Sequence, residues 1–361
     1  ANSCGNGDYS FLSITVEPAG TTCTATIWTG AEDGNWFNPA NWNPCVPTSE
    51  TAVTIPGGVP NFPTLYFNAS CASILIQDGG SFIGAERLDV AQAEVQRYFA
   101  NSEFHFLSSP VTSINFGTVF PLNQDAVWAR EYDEPSGDWV NLFIADYMEV
   151  GKGYSIQMTE PQLATFPGTF NSTDVTKPLS YANTGGDPNR VGWNLLGNPF
   201  QSALSWNIIL NAGGPIPIVE ASAYVWNGVQ YVSWNGFTGS LTGGIIPPQN
   251  GFFVKAIAPG FSFNIPLAAR VHSNIPFYKE NLANLMQLRA EGNGYIDETF
   301  IRFNEEATPL FDGNHDAYKL WGLENAPQLY SIIPNEVLSI NELPFEGNEV
   351  VNLGFKCGVA G

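Results

Sequence analysis

The chain is short of charge, and most of the charge it has is negative. Only 13% of its 361 residues are Asp, Glu, Lys or Arg, against roughly 25% in an average soluble domain. Thirteen basic residues against 34 acidic ones leave a formal net charge of -21. Such a field repels phosphate backbones and anionic lipid headgroups, which argues against nucleic acid or a membrane surface as partner. No run approaches the ~20 apolar residues that span a bilayer as a helix, and Ala1 is not followed by a basic and then apolar leader. The sequence therefore reads as a soluble, already processed chain.

Catalytic signatures are equally scarce. A serine hydrolase elbow, Gly-x-Ser-x-Gly, is missing, since Gly239-Ser-Leu-Thr-Gly243 has the wrong spacing. The zinc-protease His-Glu-x-x-His and the glycine loops that cradle phosphates are also missing. With His105, His272 and His315 far apart and no Cys-x-x-Cys pair, no zinc ligand set is visible. Glycoside hydrolysis needs only two carboxylates, and none of the 34 acids stands out for that work. The expectation is that the chain is not an enzyme.

Cysteine is sparse but uneven. Cys4, Cys23, Cys45 and Cys71 fall in the first fifth, and Cys357 stands alone near the end. Disulfides in an oxidising compartment are the expected use. Of the three possible pairings, Cys4 with Cys23 and Cys45 with Cys71 is favoured, because each encloses one plausible β loop. Each closed loop would contribute about 3 kcal/mol in the chain-entropy model. Cys357 is then either a small buried hydrophobe or a thiol that bonds another chain.

Glycine (36), proline (26) and aromatic residues (13%) are what the chain has in plenty. They suit short strands joined by tight turns, and the expected class is all-β, with several small sandwich-like or β-helix-like modules in tandem. Residues 1–92 form a first, disulfide-bearing module. Within it, Val53-Thr-Ile55 and Ser73-Ile-Leu-Ile-Gln77, the latter followed by Asp78-Gly-Gly80, resemble rungs of a parallel β-helix, with a small sandwich as the alternative. Ala91–Arg97 permits a helical turn, although the residues that follow suit a strand.

The middle of the chain, 93–272, repeats itself. Phe104-His-Phe-Leu-Ser-Ser-Pro110, Trp128 and Gly151-Lys-Gly-Tyr154 recur as Trp193-Asn-Leu-Leu-Gly-Asn-Pro199, Trp226 and Gln249-Asn-Gly-Phe252. The prolines are 89 residues apart, and both Trp128 to Trp226 and Tyr154 to Phe252 span 98. A duplicated β cassette is expected, with copies at about 98–180 and 190–272. Each copy should hold a hairpin, turning at Asp133–Gly137 in the first and at Asn227-Gly228 in the second. Residues 285–361 begin another antiparallel sheet. With so few strands it is expected to be an incomplete sandwich, finished by a further segment, a second copy or another surface protein.

Several long motifs carry a resemblance. They are Gly34-Asn-Trp36, Pro39-Ala-Asn-Trp42, Gly192-Trp-Asn-Leu-Leu-Gly-Asn-Pro199, Ile246-Pro-Pro-Gln-Asn-Gly-Phe-Phe-Val-Lys-Ala256 and Leu288–Phe303 with Asp316-Ala-Tyr-Lys-Leu320. Together they resemble the large secreted surface proteins of Bacteroidota that use the type IX secretion system. The resemblance implies an extracellular or cell-surface location and a structural or adhesive role, in a fibre or matrix, and it brings no functional residues with it.

Two binding sites are candidates. Trp36, Trp42, Trp128, Trp139, Trp226 and Trp234 offer flat faces to sugar rings, so an array of carbohydrate-binding modules is the alternative function, although Trp at hairpin positions more often fills cores. Asp312-Gly-Asn-His-Asp316 has the Asp-x-Asn-x-Asp spacing of calcium loops. The twelfth-position Glu is missing, since Leu323 stands there. A calcium set of Asp312, Asn314 and Asp316 with Asp297 or Glu298 is weighed against an ordinary Asx-rich turn.

Overall fold

The structure, a computed structural model, describes residues 23–100, 104–120, 126–182, 190–212, 217–272, 284–345, 347 and 349–358. The fold is all-β and built of several sheets. In the head, β1 (Ala25–Trp28), β2 (Trp42–Asn43), β3 (Ala52–Ile55), β4 (Ala69–Ile76) and β5 (Leu88–Phe99) share one sheet. β1, β3, β4 and β5 run parallel, and Asn35, Thr64 and Ile83 form a second set of parallel bridges. Successive turns of chain therefore stack as a short parallel β-helix. Equivalent aliphatics meet across the rungs: Val53, Ile74 and Ala93 in one row, Ile55, Ile76 and Val95 in the next. All six are buried, as expected where a parallel sheet lines a core.

The head core is closed by tryptophan. Trp28 and Trp36 each meet Trp42 edge-on, with ring centroids 4.9 and 4.8 Å away. Trp36 and Trp42 are 0% and 6% exposed, so they are core residues and not part of a sugar platform. The cysteine pairing also needs correction: Cys23 bonds Cys45, with Cα atoms 6.4 Å apart. The pairing follows from β1, which lies next to β3 and β2; Thr26 Oγ1 donates to the Cys45 carbonyl at 2.7 Å and holds the two ends together. Cys71 is buried on β4 outside any disulfide, and Cys4 lies outside the described residues.

The first cassette contains β6 (Phe104–Leu107), β7 (Ile114–Asn115), α1 (Phe116–Val119), β8 (Val127–Asp133), β9 (Asp138–Leu142), β10 (Tyr147–Met148), β11 (Tyr154–Met158), β12 (Gln162–Pro167) and β13 (Val175–Pro178). The second contains β14 (Trp193–Gly197), β15 (Ala203–Ser205), α2 (Trp206–Ala212), β16 (Ala223–Trp226), β17 (Tyr231–Trp234), β18 (Ile245–Ile246), β19 (Gly251–Lys255), β20 (Ser262–Ile265) and β21 (Arg270–Val271). The two main sheets have matching strand orders, β6-β11-β8-β9 and β14-β19-β16-β17. Register matches as well. Tyr154 faces Leu107 as Phe252 faces Leu196, and Met148 faces Ile114 as Ile246 faces Leu204.

One part of the expected repeat fails. Ser155 on β11 faces Arg130, whereas its counterpart Phe253 faces Tyr224. Trp128 and Trp226, although 98 residues apart, are therefore not equivalent positions. The second hairpin is shorter, and a longer connection to β18 restores the spacing. The true counterparts are the cross-strand pairs Tyr132–Trp139 and Trp226–Tyr231, both edge-to-face at 5.4 and 5.1 Å.

The recurring glycine and proline motifs lie where the copies meet. Gly197 N–H donates to Gly151 O at 2.9 Å and Gly153 N–H to Leu195 O at 3.1 Å, while Ser108 N–H donates to Gln249 O at 3.0 Å. A Cβ on Gly153 would run into Leu195 and the Gly251 backbone, so glycine is what lets the two chains approach. The aromatic faces then close on each other, with Phe106 and Phe253 centroids 5.7 Å apart.

The last sheet is formed by β22 (Leu285–Gly292), β23 (Tyr295–Phe303), β24 (Ala317–Tyr318), β25 (Gln328–Ile333), β26 (Glu336–Leu343) and β27 (Asn352–Lys356). It does not stand alone as half a sandwich. Phe300, Ala317 and Ile340 share one core with Trp193, Tyr224 and Phe253 of the second cassette. Nor does the head end at 92: β5 runs through that position, and β12 of the first cassette completes the head sheet.

Candidate functional site

The 312–316 turn sits where the second cassette meets the last sheet. Ala221 N–H donates to Gly313 O at 2.8 Å, and Ser222 Oγ donates to Asp316 O at 3.1 Å. These contacts place Glu220, just before β16, against Gly313. Lys255, at the end of β19, reaches the same spot: its Nζ donates to Tyr318 Oη at 2.9 Å, lies 4.3 Å from the Tyr318 ring centroid and 3.6 Å from Glu220 Oε1. Phe311 stacks on Tyr318 at 4.3 Å. A lysine, a carboxyl and two aromatic rings are thus gathered from three elements distant in sequence.

Two carboxyls here are held out of their ordinary range. Burial pushes Glu220 up to about 7, against the pull of Lys255, and Glu220 Oε2 is buried with no hydrogen-bond partner. Burial likewise pushes Asp316 up to about 7, although its two oxygens accept N–H groups from Asp312 and Glu342 at 2.8 Å each. Desolvation outweighs the hydrogen bonds at both positions. The chemistry available is the holding and release of protons near neutrality, at a packed joint. A groove of about 760 Å³ lies elsewhere, along β5, and none of its lining residues belongs to this cluster.

Three of the proposed calcium ligands, Asp312, Asn314 and Asp316, share this turn, while the fourth, Asp297, is engaged by other partners. Asp312 Oδ1 accepts the Asn314 N–H at 3.0 Å, which is an Asx turn. Asp297 instead pairs with Lys319 and accepts the Leu329 N–H at 2.6 Å. Among the described residues no group of three or more His, Cys, Asp or Glu side chains converges as a metal site. A calcium ion at this turn would have to compete with two backbone donors for Asp316.

The tryptophans divide in the same way. Trp226 Nε1 donates to Phe104 O at 2.7 Å and Trp234 Nε1 to Asn207 Oδ1 at 2.8 Å. Trp139 packs on Tyr132, Phe106 and Phe253. Two of the six are exposed, Trp128 at 50% and Trp139 at 36%. Cys357 is exposed, just past β27.

Sequence reasoning missed the residues that tie modules together. Arg97 of β5 donates to Phe106 O at 3.0 Å, to Gln249 O at 2.5 Å and to Asn250 Oδ1 at 3.0 Å. Glu134, in the first hairpin turn, accepts from Ser180 Oγ at 2.6 Å, Ala182 N–H at 2.9 Å and Gly192 N–H at 2.6 Å. Arg270 holds Glu86 through two bonds of 2.8 and 3.0 Å. Glu342 accepts from Arg302, Asn304 and, across the joint, Asn235. Only the repeat itself hinted at such joints, by putting polar residues such as Asn250 inside an otherwise aromatic motif.

Residues 89–233 match the model of a family described as a domain of unknown function (DUF8693). The match opens inside β5 and closes inside β17, so it crosses the boundary between the two cassettes. No curated protein and no solved structure matches the chain.

Proposed function

We propose that the chain is a secreted structural or adhesive protein of a cell surface or extracellular matrix, whose tandem β modules are locked into one scaffold. The observation that supports this most is the way the modules are joined. Arg97 and Arg270 each grip a neighbouring module through two charge-assisted hydrogen bonds, while Glu134 reaches Gly192 of the second cassette and Glu342 reaches Asn235 through one each; such bonds are the stronger kind. Modules that are free to move are usually separated by exposed linkers instead. The disulfide Cys23–Cys45 supports an oxidising compartment, in line with the resemblance to type IX secretion substrates. No catalytic step is part of this proposal, and the partners are copies of the chain or other surface proteins.

The test is mechanical. Beads coated with purified protein are brought into contact with one another and with extracellular matrix, then pulled apart. The expected result is adhesion with the modules resisting load as a unit. A protein that adheres to neither and unravels module by module under low load would end the proposal. Glycan binding is the second reading, favoured by the exposed Trp128 and Trp139, and a glycan array on which wild type, Trp128→Ala and Trp139→Ala score alike would remove it.

A further inference from the structure

The second cassette holds the last sheet with one face of its own main sheet. Five residues of that face make the contact, either with the last sheet or with the turn that leads into it. Ser222 Oγ donates to Asp316 O at 3.1 Å, Tyr224 Oη accepts the Tyr318 N–H at 3.0 Å, and the Ser233 and Ser339 hydroxyls are 2.9 Å apart. Lys255 Nζ donates to Tyr318 Oη at 2.9 Å, and the Trp193 and Tyr318 ring centroids lie 5.9 Å apart. Trp193, Ser222, Tyr224 and Ser233 are all buried as a result.

The first cassette keeps the same five positions open. The register that makes Ser155 the counterpart of Phe253 makes Phe104 that of Trp193, Trp128 of Ser222, Arg130 of Tyr224, Asn141 of Ser233 and Gln157 of Lys255. Gln157 is opposite both Phe104 and Trp128, and Arg130 is opposite Asn141. Directly opposed residues share a face, as do alternate residues of one strand, so all five lie together. Toward the second cassette this face is covered, because Phe106 and Tyr132 pack on Phe253. Past Phe104, whose carbonyl accepts Trp226 Nε1 at 2.7 Å, it is not: Phe104 is 37% exposed, Trp128 is 50% exposed and Asn141 is exposed as well.

The residues that differ between the copies show what fits. Ser222 and Ser233 are small enough for the last sheet to come within hydrogen-bond distance, whereas Trp128 and Asn141 stand up from the first cassette and keep a strand away. What they offer instead is a flat indole among amide and guanidinium groups. Arg130 Nε donates to Asn141 Oδ1 at 3.1 Å, which ties those two side chains together. Spacings of ~5 Å across strands and ~6.6 Å along a strand put Gln157 and Arg130 at the rim of a sugar ring laid on Trp128. We propose that this open face binds a neutral oligosaccharide, one ring stacking on Trp128 and its hydroxyls held by Arg130, Asn141 and Gln157. Aromatic faces take up the apolar C–H side of a sugar, and the three polar side chains both donate and accept or, for arginine, donate only. A polyanionic glycan is disfavoured by the net charge of -21. The site rests on the glycan-binding reading above and gives it a place.

The probes are cellohexaose, xylohexaose and mannohexaose, titrated into the full chain and followed by calorimetry and tryptophan fluorescence. At least one is expected to bind saturably. Trp128→Ala should weaken that binding at least ~tenfold through the lost ring contact, and Trp128→Tyr should weaken it less. Arg130→Ala and Gln157→Ala should each cost roughly three- to tenfold, as single hydrogen bonds do. Melting temperatures should stay near wild type, and if Trp128→Ala alone melts low, the Arg130 and Gln157 variants decide the matter. Binding that survives these substitutions but is lost in Trp139→Ala would overturn this site and leave glycan binding standing. No saturable binding of any of the three sugars would overturn the proposal, while the glycan array decides the broader reading. A wild-type dimer in sedimentation velocity that Trp128→Ala dissolves would give the face to a second copy and overturn it too.

Discussion

Removing Arg97 should loosen the joint between the head, which shares one core with the first cassette, and the second cassette. Its guanidinium satisfies three acceptors in two other parts of the chain and covers the Phe99 ring at 4.6 Å. Hydrogen bonds to a charged group contribute about 1.5–3 kcal/mol each, and the ring contact about 0.5–2 kcal/mol. Against this stands the cost of burying the cation, which pushes Arg97 down to about 10. Arg97→Met recovers that cost but leaves Phe106 O, Gln249 O and Asn250 Oδ1 without the donor. The net loss is then about 3–4 kcal/mol. Arg97→Lys, a point donor that cannot reach three acceptors at once, should lose roughly half as much. Urea unfolding read by tryptophan fluorescence and by far-ultraviolet circular dichroism checks both. Three of the ten tryptophans, Trp28, Trp36 and Trp42, lie in the core shared by the head and the first cassette, so in Arg97→Met the fluorescence change should split into two phases that do not coincide with the dichroism change. Coincident transitions with a loss under about 0.5 kcal/mol would refute the reasoning.

Glu220→Gln should alter the pH dependence of stability. With its folded value raised from 4.5 to about 7, the folded state keeps a proton that the unfolded chain has released. Stability from this group is therefore full below pH 4.5 and lost as pH rises to about 7, on the order of 3 kcal/mol. Asp316 acts in the same direction, while His272, pushed down to about 4 by burial, loses stability as pH falls below 6.5. The difference between wild type and Glu220→Gln isolates the carboxyl, and a gap that stays constant from pH 4.5 to 7.5 would contradict it. Cys23→Ser should cost about 3 kcal/mol through the lost loop constraint, measured by urea titration of the non-reduced protein; Cys45→Ser should match it, and Cys71→Ser should not. Trp36→Ala should cost about 3–5 kcal/mol as a core truncation, and Trp128→Ala under about 0.5 kcal/mol, both by thermal melting.

Local patterns in the sequence reached the β class, the two hairpins and the duplication, because those depend on residues near one another. The Asn227-Gly228 turn is one such case, with Gly228 at φ 99° and Asn227 N–H bonded to Gln230 O. The rungs were legible too, since Val53-Thr-Ile55 and Ser73–Ile76 carry matching aliphatics. The helices α1 and α2 were not, being too short to show a helical period; the cue at α1 was Asn115, whose Oδ1 caps Thr118 N–H at 2.8 Å. The disulfide was misread because loop length was used where strand adjacency decides. Arg97 was invisible for a similar reason: an arginine on a strand reads as a surface residue, and Gln249 lies 152 residues away. The Trp128–Trp226 match misled because two length changes cancel in the spacing.

Native-state hydrogen exchange tests the locked scaffold most directly. Its target is the slowest amides of the head (Val53, Ile74), the cassettes (Leu195, Val254) and the last sheet (Ile340), all of them buried. If the joints hold the modules as one unit, these amides share a single opening free energy and fall together in Arg97→Met. Separate free energies for head, cassettes and last sheet, unchanged by that substitution, would mean that the modules are independent.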